Sequence, residues 1–377
     1  MSNAVPKKQR NSSIELLKII SMLIIVIAHS IPTRGELGMG KEHVSYYEIG
    51  LTADTIKGFL LYLTRSMGQV ANIVFIICSA WFLVNSKKVK VDKIASMLMD
   101  TVFFSVFYML VFVVTGEKIG KGMMLKSFFP TTFTLYWFIT CYVILYAIHP
   151  LLNAVINNIT KQTHFAYCIA FIVVYCGINY VVNSFYYNKL IGFIGIYFMV
   201  AYFKKYMSNT ISKKKINAVA LLIGTAGWLA ISISANFLGN HIPALHNKMV
   251  HWYALTNPFI ILMSFAIFNL FKEVNFVNGF INKIAGLMLI VYLAHANILL
   301  MNYWKFDVYD FIYNKVHYDN PLGWVFVVGG VLFVVALLVS FLYVKFIQPY
   351  IHRFAQFILK LVLTVYYKLE DIFLKLD

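Results

Sequence analysis

Three ionisable residues stand inside one membrane-length stretch near the start of the chain, IELLKIISMLIIVIAHS at 14–30: Glu15, Lys18 and His29. Lys18 and His29 are 11 residues apart. At ~100° per residue that is ~1100°, so on a helix the two share a stripe to within ~20°, about 16 Å apart along the axis. Glu15, three residues before Lys18, is placed to pair with it. An ammonium group supplies a compact positive charge for an anion. A neutral imidazole is suited to take a proton from a hydroxyl near pH 7. The stretch therefore combines a cation for an anionic ligand with a base for an alcohol. Position alone is met as well by a lysine snorkelling to one interface and a histidine among the headgroups of the other.

A second histidine, His295, falls in the middle of VYLAHANILL with Tyr292 and Asn297 beside it. Its bland reading is a hydrogen bond between helices. Arg65 stands close to another apolar run, where an interfacial anchor competes with a ligand contact. His149 and His164 lie at span ends and are not expected to be catalytic. His241, His246 and His251 are spaced five and five, which does not put three imidazoles on one helix face, and no metal site is expected. Cys78, Cys141, Cys168 and Cys176 all sit in apolar segments without a C-x-x-C pair and read as small core residues.

The elements that must carry these residues follow from composition. Of 377 residues, 60% are hydrophobic and 12% charged, with a mean hydropathy of +0.74. A soluble surface needs about twice that share of charge. The class is all-α, a polytopic helical bundle in a membrane. A ~20-residue window finds ten segments, near 13–31, 67–85, 95–114, 135–155, 164–182, 190–203, 216–236, 252–271, 284–303 and 322–347. The basic start (Lys7, Lys8, Arg10) resembles a secretory leader, but AHSIPTRG offers no small-x-small cleavage site, and a retained first span is expected.

With the N-terminus inside, inner segments hold 19 Lys and Arg and outer ones nine, which predicts both ends inside. The net charge of +17 is spread over short loops, an arrangement suited to anionic lipid and not to nucleic acid. Pro349 is expected to close the last span. Beyond it Phe354, Phe357, Ile358, Leu361, Val365, Leu369 and Ile372 repeat at helical spacing among Arg353, Lys360 and Lys368, which predicts an amphipathic helix on the inner leaflet. An eleventh span would have to bury Lys360 and Lys368. The expected units are a basic segment 1–12, a transmembrane unit 13–348 and a tail 349–377.

The opening pattern, an acid, a cation three residues on and a histidine eleven further, resembles that of the integral-membrane acyltransferase type 3 family, with Glu15 and Lys18 where the family usually has Asp and Arg. Four stretches extend the likeness in order. VANIVFIICSAWFLV resembles the family's span ending in Ser-Gly-Tyr, with Ala80 and Trp81 in the last two places. KVDK, Lys90 to Lys93, stands where Arg-x-x-Arg is common. LYWFITCYVILYAIHPLLN resembles its Trp-Phe span, and INKIAGLMLIVYLAHANILL its Tyr-Leu-x-His span, giving Tyr292 and His295.

The resemblance implies ten spans in the cell membrane and transfer of an acyl group, usually acetyl, from cytosolic acyl-CoA to a hydroxyl of an envelope or exported glycan. It implies His29 as general base with His295 beside it, and Lys18, Lys90 and Lys93 as cations for the donor phosphates. Tyr292 and Asn297 become candidate donors to the oxyanion, and Arg65 a contact for donor or acceptor. Lys87 and Lys88 are as readily explained by topology. Two other readings fit a bundle with intramembrane polar residues. A transporter of a glycan or lipid-linked intermediate would call for related halves or Gly/Pro-broken helices, neither of which stands out. A polysaccharide polymerase would call for a large outer loop.

Overall fold

The computed structural model of the chain describes residues 10–31, 56–178, 188–239, 241–242, 255–312, 315 and 321–374. All regular structure among them is helical. The principal helices are Ser12–His29 (α1), Ile56–Leu83 (α2), Val91–Val114 (α3), Trp137–Asn158 (α4) and Lys161–Ala170 (α5, continued by a π-helical stretch Phe171–Ile178). They are followed by Lys189–Tyr206 (α6), Lys214–Gly239 (α7), Pro258–Lys272 (α8), Gly279–Ala285 (α9), Met288–His295 (α10), Ile298–Tyr303 (α11), Pro321–Leu342 (α12) and Gln348–Leu374 (α13).

Within the described residues each of the ten expected segments is helical, nine lying on a single helix or its direct continuation and 284–303 divided among α9, α10 and α11. Among the described residues, seven helices are long and apolar enough to cross a membrane, or eight if the bent pair 279–305 is one span. Two segments fall short of that measure for visible reasons. α6 includes Lys189, Lys204 and Lys205 in its 18 residues, and α8 has 15.

Two expectations are corrected. The segment 284–303, read as one span, is broken after His295 and resumes at Ile298 with a 71° bend. Asn297 makes the break: its side chain accepts from Leu299 N at 3.0 Å and so starts a new helix. Pro349 does not stop the chain either. A π-helical turn, Tyr343–Ile347, precedes it and α13 runs through it. Proline lacks the N–H that would bond back one turn, and a widened turn just before it is where a helix absorbs that loss.

Side-chain to backbone bonds gather several helix ends at one end of the bundle. Asn11 Nδ2 donates to Lys272 O (3.3 Å) and Ser13 Oγ to Phe271 O (2.6 Å), joining the start of α1 to the end of α8. Asn153 Nδ2 donates to Leu83 O (3.0 Å) and Ser86 O (2.9 Å), joining α4 to the end of α2. Lys205 Nζ donates to Ile156 O (3.2 Å), adding the end of α6. This end also holds Lys18. At the opposite end of α1, Ser30 Oγ donates to Val325 O (3.0 Å) at the start of α12.

The core between them is continuous and aromatic, with Tyr136, Phe193, Tyr197, Phe104 and Phe268 each fully buried. Asp100 on α3 is buried and accepts from Tyr343 Oη (2.7 Å), Gln348 Nε2 (3.2 Å) and His352 Nε2 (3.1 Å), which fastens the first turns of α13 to α3. Farther along α13 its apolar residues are exposed, among them Phe354, Phe357, Leu361, Val365, Leu369 and Ile372.

Candidate functional site

The rod that carries the first pair of candidates is fixed at both ends. Asn11 caps α1 by accepting from Ser13 N at 3.0 Å. Ser12 Oγ donates to Asn282 Oδ1 (2.9 Å) and accepts from Asn278 N (2.7 Å). With the Ser30 bond at the far end, α1 cannot rotate without breaking several of these contacts. Two glycines bring neighbours close to its far end. A Cβ on Gly68 of α2 would lie 2.5 Å from Ala28 Cβ, and one on Gly329 of α12 would lie 2.8 Å from Ile27 Cα. Lys18 and His29 therefore hold their common stripe toward the bundle.

Lys18 Nζ meets Glu15 Oε2 at 2.6 Å. The carboxylate oxygen has no aligned hydrogen bond, so the pair is a charge contact. Lys90 and Lys93 stand elsewhere. Both are exposed; the Lys90 N–H donates to Tyr146 Oη at 3.4 Å and Lys93 Nζ lies 4.8 Å over the Tyr146 ring. They dock the start of α3 on α4.

His29 and His295 meet. His29 Nδ1 is 3.1 Å from His295 Nε2, and the ring centroids are 5.2 Å apart. His295 Nδ1 is 2.7 Å from Val291 O. A carbonyl only accepts, so His295 carries its proton on Nδ1 and, as a neutral ring, offers the lone pair of Nε2. His29 must then donate from Nδ1, which leaves its own Nε2 as a bare acceptor. That nitrogen has no hydrogen-bond partner among the described residues. His295 is 1% exposed, whereas His29 is only half-buried. One imidazole is held and the other is reachable.

The break beneath His295 is stabilised from α3 and from the residue that precedes α4. Ending α10 at His295 removes the helical donors for Leu293 O and Ala294 O. Tyr108 Oη donates to Ala294 O (2.5 Å) and Tyr136 Oη to Leu293 O (3.3 Å), while Asn297 Nδ2 donates to Tyr136 Oη (3.0 Å). Tyr292 packs edge-on to His295 with centroids 5.8 Å apart and against Phe138 at 5.7 Å. Arg65, Lys189 and Lys305 lie within electrostatic reach of the His29 ring. Lys305 is 5% exposed, and Lys189 Nζ lies 4.2 Å over Trp137. Each of these three cations has further contacts of its own.

Sequence reasoning assigned no role at the site to Tyr108, Tyr136, Lys189 or Lys305. The available signal for the tyrosines was a buried hydroxyl, which must find a partner; which partner is a matter of tertiary structure. His149 and His164 are buried and bonded to Tyr146 O (2.6 Å) and Phe198 O (3.0 Å). His246 and His251 lie outside the described residues, as do residues 1–9 of the basic segment. The four cysteines are buried and unpaired. Among the described residues no group of three His, Cys, Asp or Glu side chains could hold a metal ion.

The described residues thus form a membrane-type helical bundle with two imidazoles in contact at one end of α1 and a lysine–glutamate pair toward the other. The comparison with known families goes further. Residues 11–342 match the acyltransferase domain of the acyltransferase type 3 family, and the chain belongs to that family. It is an acyltransferase with several membrane helices. No curated protein and no solved structure matches it.

Proposed function

We propose that the protein is a multi-pass O-acyltransferase of the cell membrane that moves an acyl group, acetyl in the first instance, from cytosolic acyl-CoA to a hydroxyl of an envelope or exported glycan. The observation that carries this reading is the relay from His29 Nδ1 to His295 Nε2 and from His295 Nδ1 to Val291 O, at 3.1 and 2.7 Å. It supports His29 Nε2 as the general base. That nitrogen takes the acceptor's hydroxyl proton as the oxygen attacks the thioester carbonyl. A tetrahedral oxyanion forms, the C–S bond breaks, and the CoA thiolate leaves with the proton returned from His29.

His295 fixes the tautomer and disperses the charge that His29 acquires. Tyr292 and Asn297, on the same broken helix, are the donors we assign to the oxyanion, with Arg65 adding positive potential. Lys18 meets the donor's phosphates from the inside; Lys90 and Lys93 are outer guides for the same ligand. Ten spans with both ends inside, and a C-terminal helix lying on the inner leaflet, complete the arrangement. The broken helix at 296–297 and a histidine pair are also what a proton-coupled transporter would show; the match of residues 11–342 to an acyltransferase domain is what favours acyl transfer.

The test is mass spectrometry of surface polysaccharide from cells with and without the protein. One additional acyl group per repeat in cells that have it is the expected result, and its mass identifies the donor. Identical glycans, together with thioester hydrolysis absent from the purified protein, would remove the reading.

A further inference from the structure

At the end of α2, two lysines from different helices fold back over one indole. Lys204 Nζ (α6) lies 4.7 Å and Lys272 Nζ (α8) 5.0 Å from the centroid of Trp81. Lys204 also donates to the Trp81 carbonyl, and Lys272 pairs with Glu273 at 2.6 Å. The Lys272 side chain is 15% exposed, and Lys204 and Trp81 are half-buried. Lysines that only anchor a helix end extend away from the bundle toward headgroups; these two turn inward.

The helices themselves give the distance from this cluster to His29. α1 and α2 run antiparallel: Ala28 near the end of α1 opposes Gly68, while Asn11 at its start bonds to the carbonyl of Lys272, whose side chain covers Trp81. Glu15 is then level with Trp81. From Gly68 to Trp81 is 13 residues, or about 20 Å of helix at ~1.5 Å per residue, while Lys18 is about 16 Å from His29 by the same measure. A phosphopantetheine arm has about thirteen bonds from phosphorus to sulfur, which at the reach of an extended peptide chain is roughly 15 Å. A thioester held at His29 thus puts the arm's phosphate near Lys18 and the nucleotide one turn farther on, at Trp81.

Resting on the acyl-CoA reading above, we infer that Trp81, Lys204 and Lys272 form the nucleotide subsite of the donor, the two ammonium groups meeting the 3′-phosphate and diphosphate and the indole facing the adenosine. Lys90 and Lys93, exposed against Tyr146, are then peripheral to it. The chemistry recognised is a phosphate ester, which a lipid headgroup also carries, and the experiment separates the two sources.

Full-length protein in phosphatidylcholine nanodiscs, free of anionic lipid, is titrated with CoA and with dephospho-CoA. The wild type should bind CoA at least 10-fold more tightly. In Lys204→Gln/Lys272→Gln that preference should fall toward unity, and Lys204→Arg/Lys272→Arg should keep it. The ratio is read within one preparation, so partial misfolding does not alter it. A double variant that retains the wild-type ratio overturns the inference while the acyl-CoA reading stands. A wild type that binds neither ligand removes both. An effect of the variants that appears only after phosphatidylglycerol is added assigns the lysines to lipid and overturns the subsite.

Discussion

His29 and His295 are held differently, and that difference sets what each can do. His295 spends Nδ1 on Val291 O and Nε2 on His29, so it has no atom left for substrate. His29 spends only Nδ1. Replacing His29 by Ala should lower acyl transfer by the ~10²–10⁴-fold typical of a lost general base, with the protein still inserted and accumulated; glycan acylation normalised to protein in the membrane measures it. Replacing His295 by Ala removes the acceptor that fixes the His29 tautomer. We expect a loss of about 10²-fold or more, in kcat and not in the KM for acetyl-CoA. His295→Gln, whose amide oxygen can accept from His29 Nδ1, should recover part of it. A His295→Ala enzyme with unaltered kcat would reduce that residue to packing.

At the scale of the elements, the site depends on how closely α2 and α12 approach α1. Gly68 faces Ala28, the residue before His29, and a methyl group there would sit 2.5 Å from its Cβ. Gly68→Ala must therefore push α2 away; overpacking of this kind costs about 1–3 kcal/mol. The same shift moves His29 relative to His295. Both a lower melting temperature in detergent and reduced transfer are expected, whereas Gly120→Ala, with open space around it, should change neither. Asp100 is a second such point. It accepts from Tyr343, Gln348 and His352, and Asp100→Ala leaves those donors without an acceptor, at about 1–3 kcal/mol for a buried group. α13 should then detach first, which limited proteolysis of its basic positions would show as faster cleavage after Arg353 and Lys360.

The sequence pattern was legible where chemistry and helix period coincide. Lys18 and His29 share a face because their spacing is close to three whole turns, and Tyr292 and His295 were named from the resemblance of their stretch to a Tyr-Leu-x-His span. Hydropathy placed its windows on helices, of which seven, or eight with the bent pair, are long and apolar enough to span among the described residues. It did not find the break at Asn297, since a two-residue interruption barely lowers a 20-residue average, nor the continuation through Pro349, which turns on a π turn with no composition of its own. Trp81 with Lys204 and Lys272 was invisible for another reason: three helices far apart in the chain meet there, and nothing in one sequence pairs them.

For the whole molecule, the ends of α2, α4, α6 and α8 and the start of α1 converge where Lys18, Lys204 and Lys272 stand, while His29 lies at the opposite end of α1. On the proposed reading, donor phosphates and reacting carbonyl are about 16 Å apart along one rod, which gives the reaction a direction. Acyl-CoA is highly charged and does not cross lipid unaided, since each ionised group costs several kcal/mol in hydrocarbon. In sealed vesicles of known orientation, transfer to the glycan should occur when acetyl-CoA is supplied on the face that carries the N-terminus, and not when it is supplied on the other. Cysteine labels at Lys90 and Lys272, exposed and half-buried at that end, should report the same face, and one at Lys121, which is exposed in the segment between α3 and α4, the opposite one. Equal transfer from both faces would mean that the lysine end is not the donor's entrance, and the placement of the phosphates at Lys18 would have to be abandoned even if His29 remained the base.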